Sequence, residues 1–509
     1  MLSRASSRLG APVALATRSL GPSRSLATSA KSAEGKSFMA RHGTKLKVAA
    51  ALTAGYMIGQ EESALRKLAL PNPNRACCDA PALTAAQAAL PAKLQALVGK
   101  DHVIDGNSNS ATQYTVGSRI GKGKALAVVR PGTLKEAKAC LEACVAAGVA
   151  VAPQGANTGL TGGSVPRDTL TDRPWVVINM RRLDKIVPVG REGKQVLCFA
   201  GAGIYTLAKR LGRCGRDSHS SLGSIFLDPS VAAGVAFGSG GTQTRKGPVY
   251  TERALYCRVT AEGGVELVNE LGLLVQGGEE ELFDKLELGE LGEEDLDPAC
   301  RAQASDRRYA AGVCDLNGDV SRYNADVTGP DPNRSEGKVF LLATVHDTFP
   351  LPEKTELVWV GCRDFATAQD LKARVALAAP ADLPQSCEYM NRDTFDCVDG
   401  AGRILIKMIE LIGMENLKHA WNLKITFNSL PLPFADVLPD LFLYYANSLL
   451  PEPLSKELMS LGKEYDHHVL LELAEFGGGE LGRLRERLDA YAAARPAGAV
   501  KYHVCRPKE

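Results

Sequence analysis

Residues 153–166 read Pro-Gln-Gly-Ala-Asn-Thr-Gly-Leu-Thr-Gly-Gly-Ser-Val-Pro: four glycines, three small hydroxylated residues and no charge, between prolines. This composition supports neither an ordinary helix nor a strand, and it predicts a binding loop. Glycine lets the backbone approach a ligand without a Cβ in the way, and successive unpaired N–H groups in such a turn form a concavity suited to an anionic diphosphate. A second run, Leu222-Gly223-Ser224 followed by residues 228–241 (DPSVAAGVAFGSGG), is also small-residue rich and carries no charge after Asp228. It reads as another ligand-facing segment in preference to a packed small-residue helix. A third turn, Ser335-Glu336-Gly337, leads straight into a predicted strand at 338–345.

The elements that must position these loops are legible in the pattern. Residues 126–130 (LAVVR) predict a short strand, broken by Pro131-Gly132 before Thr133, which with Glu136 forms a capping-box signature. The helix that follows places Leu134, Ala137, Leu141, Cys144 and Val145 on one face, Gly148 is its stop, and 149–152 is the next strand. The first loop therefore leaves the end of a strand–helix–strand unit. Strands are predicted at 175–180 and 195–200, a helix at 204–212, a hairpin at 258–268 and a solvated acidic helix within 279–297. From 355 the character changes to strands at 356–361, 468–474 and 502–506 with helices at 364–379 and 404–414, which marks a second domain.

Composition bounds the function. The 509 residues, 45% hydrophobic and 23% charged, allow two or three soluble domains, and a net charge of +2 without a basic stripe gives nucleic acid no electrostatic footprint. Thirteen scattered cysteines without Cys-x-x-Cys and only eight histidines indicate neither a disulfide framework nor a metal site, so most of the cysteines are expected to be buried and reduced. Cys77-Cys78 reads as incidental. No phosphate loop of the NTPase kind and no G-x-S-x-G elbow occurs, and Gly201-Ala202-Gly203, which approaches the dinucleotide fingerprint, has Thr206 where a third glycine would stand. His467-His468 would point to opposite faces of a strand, which favours a structural role over a metal. Residues 1–35, with Arg4, Arg8, Arg18, Arg24 and Lys31 and no acid before Glu34, have transit-peptide composition, for mitochondria in preference to chloroplasts, with a disordered basic tail as the plain alternative. Residues 48–59 are apolar but short for a bilayer span, and read either as a weak anchor or as an ordinary helix. A linker at 71–81 precedes a folded part that starts near Thr84.

QGANTGLTGGSVP is similar to the pyrophosphate loop of FAD-linked oxidases related to vanillyl-alcohol oxidase and p-cresol methylhydroxylase. RRLDKI (181–186), HSSLGS (219–224), GSGGTQTRKGPVYTE (238–252), VELVNELG (265–272), RYNAD (322–326), EYMNRDTFD (388–396) and YDHHVLLELA (465–474) resemble, in order and spacing, the bacterial quinone-dependent respiratory D-lactate dehydrogenases. The resemblance runs from about Thr84 to the last residue. It implies an α+β fold: a two-subdomain FAD-binding domain of the p-cresol methylhydroxylase type at 84–349 and an α+β substrate or cap domain at 350–509, after a 1–83 leader region. It implies FAD as cofactor, held by Gly155, Ala156, Asn157, Thr158, Gly159, Gly163 and Ser164 of the first loop, Gly223, Ser230 and Gly240 of the second stretch, and Leu341 on the third strand. Gly159 and Gly163 are expected to admit the phosphates or to need a positive φ.

The activity it implies is oxidation of D-lactate or a similar 2-hydroxy acid to the 2-oxo acid, with electrons passed to a quinone at a membrane. An FAD-binding remnant without turnover and an oxidase or cytochrome-linked dehydrogenase of another 2-hydroxy acid share the same motifs and stay open. The sequence departs from the family at Ala232-Ala233-Gly234, where Ile-Gly-Gly is usual, and at Asn391, where histidine is common. The family's later segment, with histidines near the flavin, is not found before Glu509. The sequence assigns no catalytic base, and the chain as given is expected to bind flavin but oxidise D-lactate poorly. The basic membrane insert of the bacterial enzymes is not evident either: residues 428–453 are apolar and nearly uncharged.

Overall fold

The computed structural model describes residues 82–506 except 119, 169, 191, 220–226, 241, 242, 276, 318–330, 414, 415, 429–437 and 448. The basic leader, the apolar 48–59 segment, Cys77-Cys78, the 71–81 linker and Gly223 lie outside the described residues. Thr84 opens the first helix, Ala85–Val98 (α1), through a full capping box: its Oγ1 accepts from Gln87 N–H at 3.2 Å and Gln87 Oε1 accepts from Thr84 N–H at 3.1 Å.

The first sheet has the order β1-β2-β4-β3, from Val103–Asp105 (β1), Ala127–Val129 (β2), Ala150–Gln154 (β3) and Trp175–Asn179 (β4). β2, β4 and β3 run parallel and β1 antiparallel. Between β2 and β3 lies Leu134–Ala146 (α2), whose buried Leu134, Ala137, Cys140, Leu141, Ala143 and Cys144 seat it on the sheet. Its start differs from the sequence expectation in one detail. Thr133 does accept from Glu136 N–H (3.1 Å), but the Glu136 carboxylate reaches past it to Gly132 N–H at 2.6 Å.

A second sheet, antiparallel throughout, has the order β5-β6-β10-β8-β9. It is built from Ile186–Val189 (β5), Gln195–Phe199 (β6), Ala254–Val259 (β8), Val265–Asn269 (β9) and Phe340–Asp347 (β10), and the short Arg216–Asp217 (β7) pairs separately with Phe349–Pro350 (β11). Alternation along β6 assigns its two faces: Leu197 and Phe199 join the core shared with the first sheet, while Val196 and Cys198 pack on Ile204, Leu207 and Leu211 of Ile204–Gly212 (α3). Val231–Phe237 is a helix (α4) that buries Val231, Ala232, Gly234 and Val235. The second small-residue run is thus in part the packed small-residue helix that the sequence reading set aside. Ala, Gly and Val allow close approach to Val249, and tertiary burial supports seven residues that propensity alone would not. Glu279–Leu288 (α5) exposes its acids but buries Leu282, Phe283 and Leu286.

The third sheet, β13-β14-β12-β15, is antiparallel. Its strands are Lys354–Cys362 (β12), Ser386–Asn391 (β13), His467–Glu475 (β14) and Val500–Val504 (β15). One face, with Val358, Val360 and Cys362, packs on Phe365–Leu371 (α6) and on Glu480–Ala493, while Trp359 on the other meets Met390, Phe395 and Leu458. His468 is buried and His467 half-buried, on opposite faces, and among the described residues no cluster suits a metal ion.

Candidate functional site

A buried amide pair fixes the mouth of the loop that leaves β3. Gln154, the last residue of β3, donates from Nε2 to the carbonyls of Tyr114 (2.9 Å) and Ser164 (2.8 Å), so one side chain ties the loop's two ends. Asn179, the last residue of β4, donates from Nδ2 to Gln154 Oε1 (2.9 Å) and to Gly155 O (3.0 Å). Both side chains are buried, where an amide without partners is costly, so these bonds define one loop geometry. Neither residue was singled out from sequence; the available signal was an amide closing each of two apolar strands, VAPQ and WVVIN.

Within the loop, Asn157 occupies the left-handed region (φ +54°) and donates from Nδ2 to Gln113 O (3.1 Å) and Val116 O (2.8 Å), while Ser164 Oγ hydrogen-bonds Asn157 Oδ1 at 2.8 Å. These two polar side chains are engaged inside the protein, which leaves the glycine backbone to meet a ligand. Gly159 and Gly163 do not have the positive φ considered for them; Gly162 does, at +73°, because its backbone turns against Ile120 O, 2.7 Å from where a Cβ would sit. A Cβ on Gly159 would meet nothing within 4 Å, so the protein itself makes no demand for glycine there. The space beside it is open to a ligand.

Two segments far apart in sequence close on this loop. A Cβ on Gly155 would lie 2.2 Å from Oγ of Ser230, the N-cap of α4, and one on Gly163 would lie 3.2 Å from the Phe237 ring at the other end of that helix. The third turn hydrogen-bonds to α4 through Arg334 N–H to Val235 O (3.0 Å) and Glu336 N–H to Ala236 O (2.9 Å), and Gly337 faces Pro153. Arg334 and Glu336 both take left-handed backbone to do so. Gly240 packs against Pro248, and Leu341 is buried in the sheet core opposite Tyr256, at a bulge in β10. Ala156 and Thr158 lie in the loop, half-buried.

Charge near the cradle is kept paired. Arg181 donates from Nη1 to Gly201 O (3.2 Å) and Asp228 O (3.1 Å), with Nη2 at 3.6 Å from Asp228 Oδ2. Asp228 Oδ1 accepts from the N–H groups of Tyr205 (3.0 Å) and Thr206 (3.2 Å), and Oδ2 accepts from Thr206 Oγ1 (2.8 Å), which caps α3 from outside the helix. This explains Gly203: a Cβ there would sit 1.9 Å from Asp228 Oδ1. The Gly201-Ala202-Gly203 run is therefore a structural turn.

A second polar cluster adjoins β7 and β10. His219 and His346 stack with ring centroids 4.0 Å apart and an interplanar angle of 10°, and His346 Nε2 lies 2.8 Å from Thr344 Oγ1. Both rings are buried. Burial pushes His346 down to about 3; burial, helped by His346 and Lys246, holds His219 well below its ordinary range. Both imidazoles are neutral at physiological pH. Lys246 beside them donates to Asp217 Oδ2 (2.6 Å) and Ser218 O (2.9 Å).

Residues 125–267 match the family described as FAD binding domain, and residues 357–509 match the family described as D-lactate dehydrogenase, membrane binding. The quinone-dependent D-lactate dehydrogenase of Escherichia coli is 34% identical over 396 residues, 76% of this chain and 68% of that protein. The enzyme of the same name from Haemophilus influenzae is 32% identical over 422 residues, 82% of this chain and 73% of that one. Among solved structures, p-cresol methylhydroxylase with substrate bound aligns with a TM-score of 0.48 at 12% identity, over 83% of this chain and 67% of its own.

Proposed function

The chain belongs to the quinone-dependent D-lactate dehydrogenase family, and from that membership we propose that it binds FAD and oxidises D-lactate, or a closely similar 2-hydroxy acid, to the 2-oxo acid, passing electrons to a quinone at a membrane. The observation that carries the reading is the convergence of the second small-residue stretch and the third turn on the uncharged glycine loop at the end of β3, which lies within the matched FAD-binding region. Bound FAD supplies the hydride acceptor. In this reading Gly155, Ala156, Asn157, Thr158, Gly159, Gly163 and Ser164 hold its diphosphate. Gly223, Ser230, Gly240 and Leu341 contact the rest of it. Gln154 and Asn179 orient the loop without touching the cofactor. The folded part divides near residue 350 into an FAD domain and a substrate domain. Residues 1–35 direct the protein to mitochondria, a reading supported by their basic, acid-poor composition.

The purified chain is expected to be yellow and to release FAD on denaturation, and the rate at which it reduces a short-chain quinone when given D-lactate tests the turnover. Colourless, well-folded protein that takes up no added FAD would sink the proposal. Turnover of D-2-hydroxyglutarate with D-lactate inert would move the substrate within the same chemistry. Residues 1–35 fused to a fluorescent reporter test the address, and a cytosolic or plastid signal counts against it.

A further inference from the structure

At the end of β10 a cleft of about 410 Å³ opens beside the paired strands β7 and β11, and cations outnumber acids on its walls: Lys194, Arg216, Arg245 and Arg307 against Asp306 and Asp347. Two of the cations are matched. Lys194 pairs with Glu192, and Arg307 Nε lies 3.9 Å from Asp347 Oδ2. The other two are not. Arg216 and Arg245 are half-buried, and among the described residues no carboxylate oxygen comes within 4.0 Å of either guanidinium. Arg245 senses Glu480 and Asp382 only from farther off, and Asp382 is held by Arg483 (2.7 Å) and Arg487 (2.9 Å). Asp347, on the cleft wall itself, takes its bonds from Gln195 Nε2 (2.9 Å) and Ser305 Oγ (2.5 Å).

Both arginines are instead oriented by neutral groups. Arg216 donates from Nε to Thr348 Oγ1 (2.9 Å) and from Nη2 to Thr348 O (2.6 Å), and Thr348 Oγ1 in turn donates to Gly193 O (2.6 Å). Arg245 donates from Nη1 to Leu383 O (3.0 Å), and its guanidinium lies over the Phe476 ring, 4.3 Å from the centroid. Holding these segments together uses only part of each fork. Nη1 of Arg216, and Nε and Nη2 of Arg245, have no acceptor among the described residues. Carbonyl and hydroxyl oxygens fix a guanidinium without cancelling its charge, and a charge partly withdrawn from water costs free energy until an anion reaches it. Burial accordingly lowers Arg245 from its ordinary value while leaving it a cation at neutral pH. With Lys194 set against Glu192 and Arg307 against Asp347, Arg216 and Arg245 against Asp306 leave one positive charge over. One carboxylate balances it, whereas a phosphate dianion overshoots. A planar fork with spare N–H donors also has the geometry that a carboxylate accepts.

We propose that this cleft is a binding site for a small monocarboxylate, whose oxygens are shared between the spare N–H groups of Arg216 and Arg245. In its residues the site is separate from the flavin cradle: nothing of the 155–164 loop, α4 or the third turn lines it. Arg216 stands on β7 and Arg245 is tied to the segment leading into β13, so the bound acid bridges the second sheet's side of the cleft and the third sheet's. The volume is at the small end for ligand clefts and suits a small acid with its water. A 2-hydroxy acid held for oxidation and a separate effector acid present the same carboxylate to these arginines, and the measurement below tells the two apart. The site does not depend on the cofactor reading, since the same titration can be made on protein with and without FAD.

The test is calorimetric titration of the full-length protein with pyruvate, a 2-oxo acid that carries the carboxylate and has no hydroxyl to oxidise, in low-chloride buffer. Saturable binding is expected, with inorganic phosphate and sulfate weaker by about tenfold or more. Arg216→Gln, and separately Arg245→Gln, should each lower pyruvate affinity about tenfold or more, the effect of losing a hydrogen bond to a charged group, and lysine at either position should recover part of it. A measurement on the unaltered protein covers the case in which a variant does not fold: pyruvate should protect Arg216 and Arg245 from phenylglyoxal, read by peptide mass spectrometry. Displacement of pyruvate by D-lactate, with a shift of the flavin absorption by either acid, supports the site as the place of the substrate. Binding of pyruvate that leaves the flavin absorption unmoved and that D-lactate does not displace supports it as the place of a separate acid. Absence of pyruvate binding overturns the proposal, as does undiminished affinity in both glutamine variants, failure of pyruvate to protect either arginine, or phosphate binding as tight as that of pyruvate.

Discussion

At Gly155 and Gly159 the same residue type answers two different demands, and the difference is measurable. A methyl group at Gly155 runs into Ser230 Oγ and Cβ, at 2.2 and 3.0 Å, so Gly155→Ala is expected to destabilise the protein by about 1–3 kcal/mol through overpacking. Adding Ser230→Gly should recover a large part of the loss, as read by a double-mutant cycle in urea. At Gly159 the Cβ of a substituted side chain has no protein atom within 4 Å and breaks no left-handed backbone, so Gly159→Val should change apoprotein stability by no more than about 0.5–1 kcal/mol. FAD affinity should nevertheless fall at least tenfold. A folded Gly159→Val protein with undiminished FAD affinity would remove this loop from the cofactor site.

Among the elements, α3 owes its position to a residue outside it. Its first turn carries no side-chain cap of its own, and Asp228 supplies one from the segment before α4 while Arg181 balances the carboxylate. Asp228→Ala is expected to cost about 1–2 kcal/mol, in the range of a lost helix cap. Because the same aspartate precedes Ser230 by two residues, thermal unfolding and FAD release should shift together. Loss of stability with FAD affinity intact would separate the cap from the cradle.

For the molecule as a whole, two linked equilibria follow. FAD binding only the folded state should raise the unfolding midpoint with FAD concentration, and amides of 155–165, 230–238 and 334–337 should gain hydrogen-exchange protection as one group because they share one ligand. Independent protection of the three would contradict the convergence. The stacked histidines set an acid limit. In the unfolded chain an imidazole protonates near its ordinary value of 6.5, whereas His346 in the fold is pushed down to about 3 and His219 is also lowered. Between those values the unfolded state binds the extra protons, so stability is full above 6.5 and is lost as pH falls below it, by up to about 1.4 kcal/mol per pH unit for each histidine. His346→Asn should flatten the slope of unfolding free energy between pH 6.5 and 5 by up to one proton, and an unchanged slope would show that the stack is not its source.

By itself the sequence determined what local chemistry controls: the strand–helix–strand unit before the loop, the Thr133 cap, the β8–β9 hairpin, the buried thiols of Cys140 and Cys144, and a neutral glycine loop with the family's motifs around it. Periodicity, capping and turn residues act within a few positions, so a single chain displays them. The tertiary structure decided the rest. That Gly162 and not Gly159 carries the left-handed turn depends on Ile120, more than a strand and a helix away. That 231–237 is a helix depends on Val249 filling the gap its glycine leaves, and burial there overrides weak propensity. Gln154 and Asn179 look like ordinary strand ends until β3 and β4 are laid side by side and one amide bonds the other.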